Sequence, residues 1–175
     1  MRPFFLALAL AALPALIGCA DAPLGDAPAA DDRVASEPAA SEDAERAAIL
    51  AVLNGETQAA LSRDYDGWRE HWVHEPYVVK TYLELTDGTG SEMRGFAAVD
   101  DFVRDYIETH PEPEPPPPAL EGATIRLYGT GAAVTYEQQD ADQGWKRESR
   151  LMEKVGDSWR IAGMHTTIYG ADRPD

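Results

Sequence analysis

Hydrophobic and polar positions divide the chain into three stretches. Behind the single positive charge of Arg2 lies an apolar run from Phe4 to Ile17. It contains Pro14 and falls short of the ~20 residues that cross a bilayer, so it reads as an export signal. Residues 20–41 are Ala, Pro, Asp, Glu and Gly with few large apolar side chains. Too little surface is available there to offset ordering entropy, which predicts a flexible acidic tether. From Ser41 onward the pattern becomes periodic. Ser41, Glu42 and Asp43 open a helix over 42–62, with Ile49, Val52, Leu53, Ala60 and Leu61 mostly on one face. Asp64 caps a shorter helix carrying Tyr65, Trp68 and Trp72, and Pro76 ends it. Residues 77–85 read as a strand and 86–90 as a turn into its partner. A third helix follows Gly95, with Phe96, Val99, Phe102, Val103, Tyr106 and Ile107 forming a broad apolar face. Six prolines within residues 111–118 predict a stiff, extended surface connection. Four strand candidates follow at about 122–129, 132–140, 145–155 and 159–169, separated by Gly or Asp turns. The order predicts an α+β fold with a mainly antiparallel sheet.

The last strand carries a second expectation. One alternate set is Trp159, Ile161, Gly163, His165 and Thr167; the other is Arg160, Ala162, Met164, Thr166 and Ile168. Neither is polar throughout, and a sheet apolar on both faces needs both covered. Helices cover one face, and the pattern predicts a homodimer through the other. Composition narrows the function classes. Asp plus Glu number 31 against 15 Lys plus Arg, a formal net charge of −16. Phosphates are repelled by such a surface, which argues against nucleic-acid binding. Cys19 stands alone, excluding an internal disulfide and a multi-cysteine zinc site. The chain contains no phosphate-binding glycine loop, dinucleotide fingerprint or Gly-x-Ser-x-Gly elbow, and no cofactor is expected. His71 and His74 are three apart beside Glu75, but the zinc-protease spacing and an evident third ligand are both missing, so no metal is expected.

Leu16, Ile17, Gly18 and Cys19 close the apolar run. They resemble the lipobox of bacterial lipoproteins, in which the cysteine is acylated and becomes the first residue. The resemblance implies a signal peptide over 1–18, lipid on Cys19, a tether over 19–41 and a domain over 42–175 at the membrane, facing the periplasm. Ala20, in place of an aspartate, favours the outer membrane over the inner.

Three further pieces carry a resemblance across about residues 42–169. They are Arg63 to Trp68 between the first helices, Arg94 to Val99 opening the third, and Leu151 to Ile161 closing the sheet. Their order is similar to the nuclear-transport-factor-2-like fold, especially its SnoaL-like and ketosteroid-isomerase-like branches. The resemblance implies a cone: a curved sheet wrapped around three helices, with a pocket at its open end. In ketosteroid isomerase an aspartate followed by proline, just after the second helix, is the proton-shuttling base; Glu75 before Pro76 falls there. A carboxylate inside the cone would be raised towards a general-base pKa, whereas one at the rim would stay solvated. The isomerase also uses a tyrosine of the first helix and a protonated aspartate of the penultimate strand. Helix 42–62 has no tyrosine, and aligning the last two strands by their turn puts Leu151 in the aspartate's place. His165 near the end of the last strand is the other catalytic candidate, if its set faces inward. Trp68, Trp72, Tyr77, Tyr106 and Tyr136 are candidate ligand-lining aromatics. Arg94, Arg147 and Arg150 offer anion contacts, with Glu148 and Glu153 available to neutralise the latter two. Three functions follow as expectations: binding of a small apolar or amphipathic molecule with no catalysis shown, isomerase- or dehydratase-like chemistry through Glu75 with or without His165, or a dimeric envelope interaction module.

Overall fold

The structure is a computed structural model that describes residues 37–140 and 143–171. The signal peptide, Cys19 and nearly all of the tether lie outside the described residues. Helix α1 spans Glu37–Ser62, α2 Tyr65–Glu70 and α3 Phe96–Thr109. The strands are β1 Val79–Glu84, β2 Thr89–Arg94, β3 Thr124–Tyr128, β4 Gly131–Asp140, β5 Gly144–Val155 and β6 Ser158–Gly170. The predicted elements are therefore present in the predicted order. One difference is that α1 begins at Glu37, before the expected cap at Ser41. Ala39 and Ala40 are strong helix formers, and Pro38 suits a first turn.

The six strands form one curved sheet in the order β2-β1-β6-β5-β4-β3. Every pairing is antiparallel except β1 with β6. The helices lie against its inner face. The core gathers Ile49 and Leu53 of α1, Trp68 of α2, Trp72 and Val73 after it, Val99 and Val103 of α3, and Val134, Met152 and Ile161 of the sheet.

β6 contains the feature that decides which side chains enter the cone. Leu151 pairs with Gly163, but Met152 pairs with Ile161, so Ala162 is an extra residue on its strand. Such a bulge exchanges the faces of the residues on either side of it. Its cause is a change of partner. Before Gly163 in the chain the neighbour of β6 is not β1 but the segment after α2, where Ile161 N donates to the His71 carbonyl (2.8 Å) and Val73 N donates to the Ile161 carbonyl (2.9 Å). Trp159 and Ile161 before the bulge and Met164, Thr166 and Ile168 after it are consequently all buried. The mixed pattern of β6 thus describes one apolar face with a bulge, and no covering subunit is needed to explain it. His165 points outward, opposite Ser149, and is exposed.

α1 ends where Asp64 N donates to the Ala59 carbonyl (2.9 Å) and Arg63 N to the Ala60 carbonyl (3.2 Å). Arg63 has φ 65°, a left-handed conformation that normally selects glycine at this position. Its side chain explains the exception. The guanidinium donates to the His110 carbonyl (2.6 Å) and to Glu114 (2.5 Å) and lies 5.1 Å from the Tyr106 ring centre. It clamps the proline-rich segment onto the end of α1. That segment then runs back along the helix: Glu114 N donates to the Leu61 carbonyl (2.9 Å), and Leu120 N to Asn54 Oδ1 (2.7 Å).

Candidate functional site

The buried stripe of α1 reads Ile49, Leu53, Glu56 and Ala59, so helical spacing delivers a carboxylate into the cone. Glu56 Oε1 accepts from Trp68 Nε1 (2.9 Å) and Trp72 Nε1 (3.2 Å). Its Oε2 lies 3.7 Å from Arg150 Nη1. From β5, Arg150 Nε (3.0 Å) and Nη2 (2.6 Å) both donate to Glu148 Oε2. The Tyr136 hydroxyl of β4 donates to the same oxygen (2.8 Å), and Lys146 Nζ stands 3.9 Å from Glu148 Oε1. The alternation of β4 and β5 places Tyr136 opposite Glu148 and Val134 opposite Arg150 on one face.

Burial raises the Glu148 carboxyl, but the charges of Arg150 and Lys146, with hydrogen bonds from Tyr136 and Arg150, outweigh it and hold the group below the usual carboxylate range. Burial lowers Arg150, yet the neighbouring anions, Glu148 foremost, hold it well above its ordinary value. Burial and the Glu148 charge push the Tyr136 phenol up, against the opposing effect of Arg150. Glu148 and Arg150 therefore stay charged and Tyr136 neutral across the physiological range, a fixed electrostatic floor rather than a proton-transfer pair. Two buried donors in this layer, Arg150 Nη1 and Thr166 Oγ1, have no hydrogen-bond partner among the described residues.

Tyr136 also faces a pocket of about 110 Å³ between α1, the proline-rich segment and β4. Its walls are Asn54, Thr57 and Gln58 of α1, Pro116 to Leu120 of the covering segment, and Gln138 of β4. The pocket is smaller than an engineered cavity of about 150 Å³ that holds benzene, so it takes a group no larger than one ring. On the other side of Tyr136, residues from Gly122 to Thr124 and Thr135, Glu137 and Arg147 line an open groove of about 590 Å³. β3 pairs with β4 only up to Thr135, and the groove lies where that pairing stops.

Of the five aromatics expected to line a pocket, Tyr136 does so. Trp68 and Trp72 are fully buried, their indoles spent on Glu56. Tyr77 is 57% exposed and donates to Glu153 (2.7 Å), a bond that raises its hydroxyl to about 12. Tyr106 lies towards the outer side of α3 and donates to Glu114 (3.1 Å). The two catalytic candidates stay outside the cone. Glu75 is exposed at the rim, where its backbone carbonyl accepts from Val78 N (3.2 Å) and Phe96 N (3.1 Å). His165 is on the outer face for the reason the bulge supplies. Leu151, which the resemblance puts in the place of the isomerase's aspartate, is also outward and 61% exposed. Of the arginines, Arg150 pairs with Glu148 as expected, whereas Arg147 bonds Glu137 across to β4 (2.7 Å) and Arg94 pairs with Glu92.

His71 Nδ1 bonds the Gly67 carbonyl (2.7 Å), and a Cβ on Gly55 would stand 2.3 Å from its Nε2, so the ring fills the α1–α2 contact. His74 stacks on Phe96 with ring centres 4.0 Å apart. Among the described residues, no group of three or more His, Cys, Asp or Glu could hold a metal ion. Sequence reasoning missed Glu56, although its signal is present: a glutamate at helical spacing from Ile49 and Leu53.

No family model and no curated protein matches the chain. Solved structures do. A nuclear-transport-factor-2-like protein of unknown function from Pseudomonas putida KT2440 superposes with TM-score 0.55 at 16% identity, covering 79% of this chain and 99% of that one. Another, with a cystatin-like fold, from Novosphingobium aromaticivorans, gives TM-score 0.53 at 15% identity over 81% of this chain and 93% of that one. A third, of unknown function from Silicibacter pomeroyi DSS-3, gives 0.53 at 13% identity over 73% and 98%. At these identities the likeness concerns the fold: the chain has the nuclear-transport-factor-2-like architecture, which by itself does not fix an activity.

Proposed function

We propose that this domain binds a small amphipathic molecule in the pocket between α1, the proline-rich segment and β4, and that it works as a binding protein rather than an enzyme. The observation that carries the reading is the setting of Tyr136. Its ring borders the pocket while its hydroxyl is committed to Glu148 below. A ligand there meets an apolar ring and proline surface on one side and the uncharged polar groups of Asn54, Thr57, Gln58 and Gln138 on the other. The charges beneath are paired with one another, which gives a preorganised floor without a free acid or base. Cys19 would hold the domain at the envelope membrane through acyl chains, facing the periplasm.

The test is a screen of small amphipathic compounds by ligand-detected nuclear magnetic resonance on the full chain. Thr57→Phe fills the pocket without touching the ion pairs. Hits that bind the wild type and lose about tenfold or more in affinity to Thr57→Phe support the pocket. Hits unaffected by Thr57→Phe place binding elsewhere and sink the reading.

A further inference from the structure

We infer that Lys80 anchors a second site, one that takes the carboxylate of a small apolar acid. The buried charged residues among those described are Glu56, Lys80, Asp100, Glu148 and Arg150. Each carboxylate faces a cation, with Arg150 shared by two of them. Glu56 and Glu148 face Arg150, and Asp100 is held by Arg69 and Arg104 with a hydrogen bond from Tyr65 (2.7 Å). Lys80 is different. It is 5% exposed and makes no hydrogen bond or ion pair with any described residue. Its ammonium lies among three rings: Trp72 at 5.6 Å, Tyr82 at 5.5 Å and Phe102 at 5.5 Å from their centres. Ring faces attract a cation, but they do not accept its three N–H bonds as an oxygen does.

The sheet register places other unmet donors beside it. On the inner face Lys80 sits between Met93 and Met164, Arg150 lies across Met164, and Thr166 is one step along β6. Among the described residues, Arg150 Nη1 and Thr166 Oγ1 are the two buried side-chain atoms without a hydrogen bond. This corner of the cone therefore carries hydrogen-bond donors in excess and an ammonium that no carboxylate pairs. Its complement is a monoanion whose oxygens accept hydrogen bonds. A dianionic phosphate fits less well, because one unpaired cation leaves the second charge buried and uncompensated. The rings and the two methionines provide for an apolar body attached to the anion. Entry is on the side of Tyr82, which is partly exposed, and Phe102, which is 38% exposed. The Tyr136 pocket is elsewhere, since β6 and β5 separate β1 from β4.

The probe is benzoate, compared with its neutral isostere benzamide, titrated into the full chain in neutral detergent. Tryptophan emission reports binding, because Trp72 lies against the ammonium. Saturable benzoate binding is expected, with benzamide weaker by about tenfold or more. Lys80→Met should remove that preference by weakening benzoate to the level of benzamide, while Lys80→Arg should keep it. Thr57→Phe should leave benzoate affinity unchanged, which separates this site from the Tyr136 pocket. Equal binding of benzoate and benzamide by the wild type overturns the assignment, as does undiminished benzoate binding by Lys80→Met. A wild type that fails to saturate by about 10 mM benzoate overturns it too. Should Lys80→Met fail to fold, the wild-type and Lys80→Arg comparisons decide alone.

Discussion

A carboxylate that accepts two indole N–H bonds inside a protein cannot be lost cheaply. Glu56 is such a group, and removing its acceptor leaves Trp68 and Trp72 with unpaired buried donors. Glu56→Ala is expected to cost about 3–5 kcal/mol, as for one partner removed from a buried pair. Glu56→Gln keeps an oxygen for the indoles and should cost about 1–3 kcal/mol. Urea unfolding of the two variants checks the order, and equal losses would contradict the role given to Oε1. Glu148 adds a pH dependence. Its folded pKa lies below the ordinary 4.5, so its contribution to stability is fully present above that value and is lost as pH falls through the depressed one. The stability gap between wild type and Glu148→Gln should be widest near neutrality and shrink below about pH 4.5, measured by urea unfolding. A gap independent of pH would contradict it. Little of this layer was legible in the sequence. Glu56, Lys80, Glu148 and Arg150 look like ordinary surface charges by type, and their burial follows from pairings between residues distant in sequence. Tyr136 could be placed among pocket candidates because aromatics are seldom idle in a cone, but nothing local distinguished it from Tyr77 or Tyr106.

Between elements, two devices do the positioning, the bulge at Ala162 and the clamp at Arg63. Strand positions, turns and the third helix were readable because Gly and Asp punctuate them and apolar periodicity runs between. The bulge was not readable. A period of two assumes an unbroken strand, and the cause of the break is a change of neighbour from β1 to the segment after α2, pieces some ninety residues away in sequence. Deleting Ala162 removes the extra residue and leaves Ile161 and Met164 two positions apart, so both keep the inner face and a cooperative unfolding transition should be retained. Loss of that transition in the deletion variant would refute the placement. Arg63→Gly relieves a left-handed non-glycine residue, a gain of about 1 kcal/mol, but removes the bonds to His110 and Glu114. Faster amide exchange around residues 112–120 is expected, with smaller changes in the β5–β6 core; unchanged exchange there would mean the clamp is idle.

For the whole molecule, the cone was legible from the order of its parts, whereas the expectation of a covering subunit came from a pattern that the bulge explains within one chain. The membrane anchor rests on Leu16 to Cys19. Incorporation of an alkyne fatty acid into the wild type, and its loss in Cys19→Ala, is the outcome expected of a lipoprotein; equal labelling of both would remove the anchor. The most direct measurement addresses the pocket itself. It is native mass spectrometry of the full chain released from neutral detergent after expression in a bacterial envelope, wild type beside Thr57→Phe. A defined small-molecule mass retained by the wild type and missing from Thr57→Phe is the result predicted for a binding domain with Tyr136 in its wall. A bare wild-type chain, or the same mass held equally by Thr57→Phe, would contradict it.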